Sequence, residues 1–273
     1  GFDIVIANPP YVSYGLRGGQ TMTAEEKKMI KEIFPNSAEY KISLYAIFMD
    51  KAIQLAKNQG VQTFIVPDSF LLGRYFSKIR RLILDENNII EFLLLPYNVF
   101  DATVGFSLIY LFQKSDKPDK FQKITAKTAS CNEEVAKNDF RQFSYPQEYF
   151  EKLKYNRFRM FFDQETMDLV NKIENGSKEL NNYMTGRTGV RSLIGQKNII
   201  GKEKKAKTWQ PGLTSGSQIL KYKVNYEGDF INIDPSKLNK GGWDYDVIHN
   251  PKLLLRQTGD SLTATIDYDG YYH

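Results

Sequence analysis

Thiols and imidazoles are nearly missing from this sequence: Cys131 is its single cysteine, and His249 and His273 are its two histidines. One cysteine cannot close an internal disulfide, and so few thiols and imidazoles cannot form a structural zinc site. Cys131 is expected to be an inert thiol in a reducing compartment, which suits a cytoplasmic protein, and no metal is expected. Long apolar runs are missing too. None approaches the roughly 20 residues of a membrane helix, and 25% of the chain is charged, so no membrane span is expected. The segment GFDIVIA at the start has neither an initiator methionine nor a signal-peptide layout and runs straight into a strand pattern; the chain is expected to begin inside a domain. No internal repeat is found.

What is present is enough for a globular protein. The chain has 273 residues, 41% of them hydrophobic, sufficient for one large domain or two ordinary ones. Its net charge of +5 suits an anionic partner without specifying one. Distribution says more: residues 187–207 hold seven basic side chains (Arg187, Arg191, Lys197, Lys202, Lys204, Lys205 and Lys207) against the single acid Glu203. Such a cluster is usually just a solvated loop, with a phosphate-contacting surface as the second reading.

Phe2 to Ala7 reads as a buried parallel strand that meets a loop at Asn8-Pro9-Pro10. A helix follows, capped by Thr23 with Glu26 three residues on and stopped by Pro35. A second helix fits residues 43–58, with Leu44, Phe48, Ala52 and Leu55 facing the core and Gly60 just past its end. Residues 61–67 are apolar enough for a strand buried on both faces. A helix over 75–86, a strand over 89–96 and a strand over 106–112 come next, the last after a short loop and so suited to an antiparallel arrangement. This alternation predicts an α/β fold, the C-terminal half of a Rossmann-like sheet. Polar and basic sequence from 113 to 144 breaks the pattern. An Asp163-capped helix over 165–174 then reads as a connector. We expect a partial catalytic domain over 1–145, a helical connector over 146–180, and a mostly β (α+β) domain over 181–273 with strand pieces at 219–224, 230–233 and 252–256. The final Tyr271-Tyr272-His273 looks like a strand cut short.

Asn8-Pro9-Pro10-Tyr11, directly after a hydrophobic strand, carries the most specific chemistry. An exocyclic amine conjugated to a ring is a poor nucleophile because its lone pair is delocalised. Acceptors for its two N–H groups favour a pyramidal nitrogen with an available lone pair, and Asn8 Oδ1 and the Pro9 carbonyl can be those acceptors. Tandem prolines restrict φ and force the preceding residues into extended geometry, so both acceptors are held ready. Tyr11 offers a flat face to a base taken out of a duplex.

The segment FDIVIANPPY resembles the base-binding motif of S-adenosylmethionine-dependent amino-group methyltransferases, in particular the gamma-group (TaqI-type, Eco57I-like) adenine-N6 DNA methyltransferases of restriction-modification systems. Val66-Pro67-Asp68-Ser69-Phe70-Leu71, Arg80-Arg81-Leu82 and the strand over 89–96 continue the resemblance in order. Val99-Phe100 resembles the segment whose aromatic ring packs on the flipped adenine, which implies Phe100 as a second stacking surface; a core Phe beside a strand is the competing role. Thr188-Gly189-Val190-Arg191, residues 214–219 leading to Lys221-Tyr222, and KLLLRQTG at 252–259 resemble that group's target-recognition domain. The resemblance implies double-stranded DNA as partner and Arg187, Arg191, Lys197, Ser215, Lys221, Tyr222 and Arg256 as contacts.

One departure stands out. The glycine-rich loop that binds S-adenosylmethionine in this group precedes the Asn-Pro-Pro-Tyr motif, and nothing here fits it; Gly15, Gly18 and Gly19 follow the motif and read as a mobile loop near DNA. The chain is therefore expected to lack most of the cofactor site, to leave Phe2 to Ala7 as an unprotected apolar edge, and to give no turnover alone. Other readings stay open: methylation of a protein glutamine, methylation of cytosine N4, or a non-catalytic DNA-specificity module over 180–273. Glu26-x-Lys28 and Glu203-x-Lys205 lack the preceding Pro-Asp of a metal-dependent nuclease core, so a nuclease, or an N-terminal methyltransferase portion, would belong to other parts of a full-length protein.

Overall fold

The computed structural model describes residues 1–14, 22–39, 42–97, 99–100, 105–242 and 245–273; Gly15, Gly18 and Gly19 lie outside them. Two compact units divide at 177/178. The first contains β1 (Phe2–Ala7), β2 (Ser13–Tyr14), α1 (Ala24–Ile33), β3 (Ile42–Ser43), α2 (Leu44–Leu55), β4 (Ala56–Pro67), α3 (Ser69–Leu72), α4 (Ser77–Glu86), β5 (Asn87–Leu94), β6 (Ser107–Lys114), β7 (Lys123–Thr128), α5 (Asn132–Lys137), β8 (Arg141–Pro146), α6 (Gln147–Lys152) and α7 (Gln164–Asn175). Six strands form a mixed sheet in the order β1-β4-β6-β5-β7-β8. β1, β4, β5 and β7 share one direction, and β6 runs against β4 and β5, as its short connection led us to expect. The fold is α/β.

Strands β7 and β8 are a correction to the sequence reading. KITAKT and RQFSYP alternate apolar with polar or basic residues, which resembles loop composition, yet Ile124, Ala126 and Tyr145 turn into the core. Strands at the end of a sheet, with one wetted face, need no continuous apolar run.

The core lies on the side of the sheet that bears the helices. Alternate residues Phe64 and Val66 of β4, Phe92 of β5, and Leu108, Tyr110 and Phe112 of β6 pack there against α2 (Tyr45, Met49, Ala52, Ile53), α4 (Ile79, Ile83, Leu84), Phe150 and Phe158. Removing any of these rings would cost about 3–5 kcal/mol. The opposite face stays half-exposed, so β4 is buried on one face and not on both as predicted. β1 departs further from the buried strand predicted: Phe2, Ile4 and Ile6 are 61%, 64% and 76% exposed, while Val5 and Ala7 pack on the core. It is the exposed apolar edge that was also anticipated.

Helix α1 carries its predicted cap. Thr23 Oγ1 accepts from Glu26 N–H (3.1 Å) while Glu26 accepts from Thr23 N–H (2.8 Å). In α2 the predicted core stripe is turned. Ala52 is buried as predicted, but Phe48 and Leu55 are 43% and 37% exposed, and Tyr45, Ala46, Met49 and Ile53 are buried instead. The sequence LYAIFMDKAIQL is apolar nearly all round, so spacing alone allows two stripes and packing on β4 and α4 decides between them. Helix α7 starts at Asp163, whose carboxylate accepts from Thr166 N–H at 2.9 Å.

The second unit is built from short pieces: β9 (Ile200–Gly201), β10 (Trp209–Pro211), β11 (Ile219–Leu220), β12 (Lys223–Val224), β13 (Phe230–Asn232), α8 (Tyr245–His249), β14 (Lys252–Leu255) and β15 (Ala264–Asp267). They pair antiparallel as β10-β13-β9, β11-β12 and β14-β15. Tyr272 bridges to Gly212. Cores this small leave much to polar contacts, and two buried acids organise the loops. Asp267 accepts from the N–H groups of Asp269, Gly270 and Tyr271 and pairs with Lys252. Asp229 joins Lys202 (2.7 Å), Thr214 (2.9 Å) and Gln218 (2.8 Å).

Candidate functional site

β1 delivers Asn8 at the end of its run, at the end of the sheet where the parallel strands finish. The Asn8 side chain is exposed and Pro9 beneath it is buried. A restrained proline seated in the protein fixes the direction of the adjoining carbonyls, while the carboxamide faces outward. The exposed carboxamide is available to a ligand, and the backbone on which it stands is restricted.

Tyr11 turns back toward the sheet. Its hydroxyl donates to the Ile65 carbonyl of β4 at 3.0 Å. Its ring meets Tyr45 edge-to-face, with centroids 6.4 Å apart. The Tyr45 hydroxyl pairs with Ser69 Oγ at 3.0 Å, and its ring lies 5.6 Å from Phe76. Backbone contacts close the unit: Leu44 N–H donates to the Val12 carbonyl (2.9 Å), and β2 pairs with β3 through Ser13 and Ser43. Burial pushes the Tyr11 hydroxyl above the usual phenol range and the Tyr45 hydroxyl up to about 12. Both phenols are therefore neutral at physiological pH. Neither phenolate is populated there, and the hydrogen bond to Ile65 fixes where the Tyr11 ring lies. Asp68, just past β4, is held above the usual carboxylate range by burial.

Phe100 is half-buried, and among the described residues no ring contact joins it to Tyr11. Nearer the sheet, exposed Tyr97 and Phe106 meet edge-to-face at 5.4 Å, after β5 and before β6. Tyr45, Phe76, Tyr97 and Phe106 were not visible as site residues in the sequence. They are far from the motif along the chain, and only the strand order brings them to the same end of the sheet.

In the second unit, Arg187, Ser215 and Arg256 come together around one cavity of about 460 Å³ that Thr188, Gln257 and His273 also line. Arg191 joins Arg187, Asn239 and Lys240 around another of about 340 Å³. Arg256 is partly committed to the fold, since Nε donates to Gly216 O (3.0 Å) and Nη2 to Ile219 O (3.1 Å). Ser215 caps the turn Gly216–Gln218. Tyr222 is 85% exposed at positive φ at the tip of the β11–β12 hairpin, with the Lys221 ammonium 5.7 Å from its ring centre. Lys197 is exposed on the turn Gln196–Asn198. Within the basic cluster, Lys202 is tied to Asp229 and Lys205 lies 5.1 Å from the Trp209 ring centre. Burial works to raise the Asp229 carboxyl, but Lys202, Thr214 and Gln218 outweigh it and hold it below the usual range. His273 is lowered to about 4, chiefly by burial and then by Lys252.

Known proteins are similar to parts of this chain. Residues 1–100 match the Eco57I restriction-modification methylase family. A provisionally named type II restriction enzyme and methyltransferase of Methanocaldococcus jannaschii is 30% identical over 148 residues, 53% of this chain and 12% of that protein. The adenine-specific methyltransferase BrxX of Escherichia coli is 23% identical over 263 residues, 87% of this chain and 21% of BrxX. The chain thus spans about an eighth to a fifth of these relatives' lengths. Among solved structures, the type IIG restriction endonuclease BpuSI aligns with a TM-score of 0.49 at 16% identity, over 85% of this chain and 31% of that one. Over its first 100 residues the chain is therefore similar to the Eco57I restriction-modification methylases, the group that Asn8 to Tyr11 resembles.

Proposed function

We propose that this chain is the target-base side, with part of the recognition region, of a site-specific adenine-N6 DNA methyltransferase that moves a methyl group from S-adenosylmethionine to an adenine turned out of the duplex. The observation that carries the reading is the exposed Asn8 carboxamide on a buried Pro9 at the end of β1, with a neutral, anchored Tyr11 beside it. Asn8 Oδ1 and the Pro9 carbonyl accept the two N6–H groups, and the nitrogen lone pair becomes available for attack. Tyr11 and Phe100 offer ring faces to the base. Removing one preorganised acceptor of this kind costs on the order of 10²–10³ in rate.

In the second unit Arg187, Arg191, Lys197, Ser215, Lys221 and Tyr222 meet double-stranded DNA, joined by whatever donor capacity Arg256 retains. S-adenosylmethionine supplies an electrophilic methyl group. Its adenosine and methionine parts do not fit the residues described: β1, β4, β5 and β7 lead into Asn8-Pro9, Asp68-Ser69, Leu95-Pro96 and Ala129-Ser130, none of them a glycine-rich turn. No step is assigned through the donor, and on this reading residues 1–273 alone leave DNA unmethylated.

The test is nucleoside mass spectrometry of DNA from cells expressing the complete reading frame, compared with its Asn8→Ala version. N6-methyladenine that disappears with the substitution is expected. A folded protein that binds S-adenosylmethionine and yet yields none would overturn the adenine assignment, and N4-methylcytosine or methylated protein glutamine would then be sought.

A further inference from the structure

Three cations gather around one exposed aromatic ring in the first unit, apart from the Asn8 motif. The guanidinium carbons of Arg157 and Arg74 lie 5.4 and 5.6 Å from the centre of the Tyr155 ring, and the Lys154 ammonium lies 5.7 Å from it. Arg74 belongs to the short turn Arg74–Phe76 that leads into α4; the others belong to the turn Lys154–Asn156 and the residue after it. Among the described residues, neither Arg74 nor Arg157 has a carboxylate at ion-pair distance. A neutral ring attracts the cations around it without neutralising their charge.

The backbone beneath them is also held against preference. Tyr155 sits at φ 61°, in the left-handed region that bulky side chains seldom enter, and Asn156, a residue type that tolerates the region, at 48°. Their carbonyls both accept from Arg80, which is itself fully buried and whose hydrogen bonds all go to carbonyl oxygens. A further positive charge thus lies under the turn. Arg157 is oriented by Nε donating to the Leu72 carbonyl at 3.2 Å. Strained backbone in a rigid surround is where a binding role is to be sought, and the excess positive charge specifies an anion.

We propose that Arg74, Tyr155 and Arg157 form a nucleic-acid contact in the first unit that takes the phosphodiester backbone of DNA, with phosphate oxygens on the guanidinium groups and a sugar or base against the ring. The proposal rests on the DNA reading above and adds to it a contact outside the recognition region. Its place is consistent with that reading. The residues beside the cluster, 70–73, follow Ser69, whose hydroxyl pairs with the hydroxyl of Tyr45, the residue whose ring meets Tyr11.

The experiment measures duplex DNA binding by fluorescence anisotropy across a salt series, for the chain and for its Arg74→Gln/Arg157→Gln variant. Each lost phosphate contact flattens the slope of log affinity against log salt by about 0.9, hence about 1.8 for two. Between 50 and 200 mM salt the double variant then loses about 12-fold less affinity than the parent. Arg74→Gln alone, at a side chain outside the carbonyl cage, keeps the test valid should the Arg157 change disturb the turn; about 0.9 is expected. Lys123→Gln, at the opposite end of the sheet, should leave the slope unchanged. A parent that binds DNA with a slope the Arg variants do not alter overturns this contact alone and makes an acidic protein segment the cluster's partner. A parent that binds no duplex at any salt overturns the DNA reading, and this site with it.

Discussion

Arg80 offers the sharpest stability test. It is a fully buried cation whose Nε donates to Asn156 O (2.9 Å) and Tyr155 O (3.3 Å), Nη2 to Tyr155 O (2.9 Å), and Nη1 to Gly73 O (2.8 Å) and Phe70 O (2.5 Å). Arg80→Met fills a similar volume and leaves four carbonyls without this donor. At about 1–3 kcal/mol for each unsatisfied buried acceptor the gross loss is large. It is partly offset because the buried charge, with a desolvation penalty of several kcal/mol, is gone as well. Burial lowers the Arg80 guanidinium to about 10, the sign of that same penalty. The expected net is about 3–5 kcal/mol, the range for removing one side of a buried charged network. With an m-value of about 2 kcal/mol/M, the urea midpoint falls by roughly 2 M. Arg80→Lys keeps the charge but not the planar fork that spans two chain segments, so it should lose about 2 kcal/mol. Both tryptophans, Trp209 and Trp243, belong to the second unit's span of the sequence; far-UV circular dichroism is therefore the readout, followed through the helices of the first. A loss under about 1 kcal/mol for Arg80→Met would show that the cage is not what holds residues 70–73 against 155–156.

Two more expectations follow from titration and from the site. His273 has a folded pKa of about 4 against an ordinary 6.5. The unfolded chain therefore takes up a proton first, so stability is complete above about pH 6.5 and falls as pH drops toward 4. The shift corresponds to at most about 3 kcal/mol, and a His273→Gln chain should lose that part of the pH dependence in urea titrations; parallel curves for the two would refute it. Tyr11→Phe removes the hydrogen bond to Ile65 but keeps the ring. It should lower stability by about 1 kcal/mol and leave methylation in the complete protein within a few-fold of normal, whereas Tyr11→Ala should abolish methylation. Equal losses in the two variants would place the role of Tyr11 in its hydroxyl.

Legibility differed from element to element for physical reasons. The strands of the inner sheet could be read because β4, β5 and β6 fill a core and are rich in apolar residues. β7 and β8 could not, because Lys123, Lys127 and Arg141 on their wet positions mimic a loop. The cap of α1 was readable since Thr23 and Glu26 interact locally, while the buried face of α2 depends on packing partners distant in sequence. The Asn8 motif was legible because its chemistry is contained in four consecutive residues. The support around it was not: Tyr45 meets Tyr11, and Ser69 and Phe76 meet Tyr45, only once segments distant in the chain are packed together. Arg80 was noticed only for its resemblance, since a charged residue in a helix reads as surface, and nothing local announces a cage of carbonyls contributed by residues 70–73 and 155–156.

The position of β1 has a practical consequence. Its outer hydrogen-bonding groups face no other strand among the described residues, and three large apolar side chains stand out beside them. Such a strip is a template on which a second extended segment can zip, from another copy of the chain as readily as from anything else. Samples concentrated for biophysics will therefore tend to pair strand to strand. A charge placed at Ile4 or Ile6 would be the first remedy, and dimers that vanish with it would be read as edge pairing in the tube rather than as an assembly the protein uses.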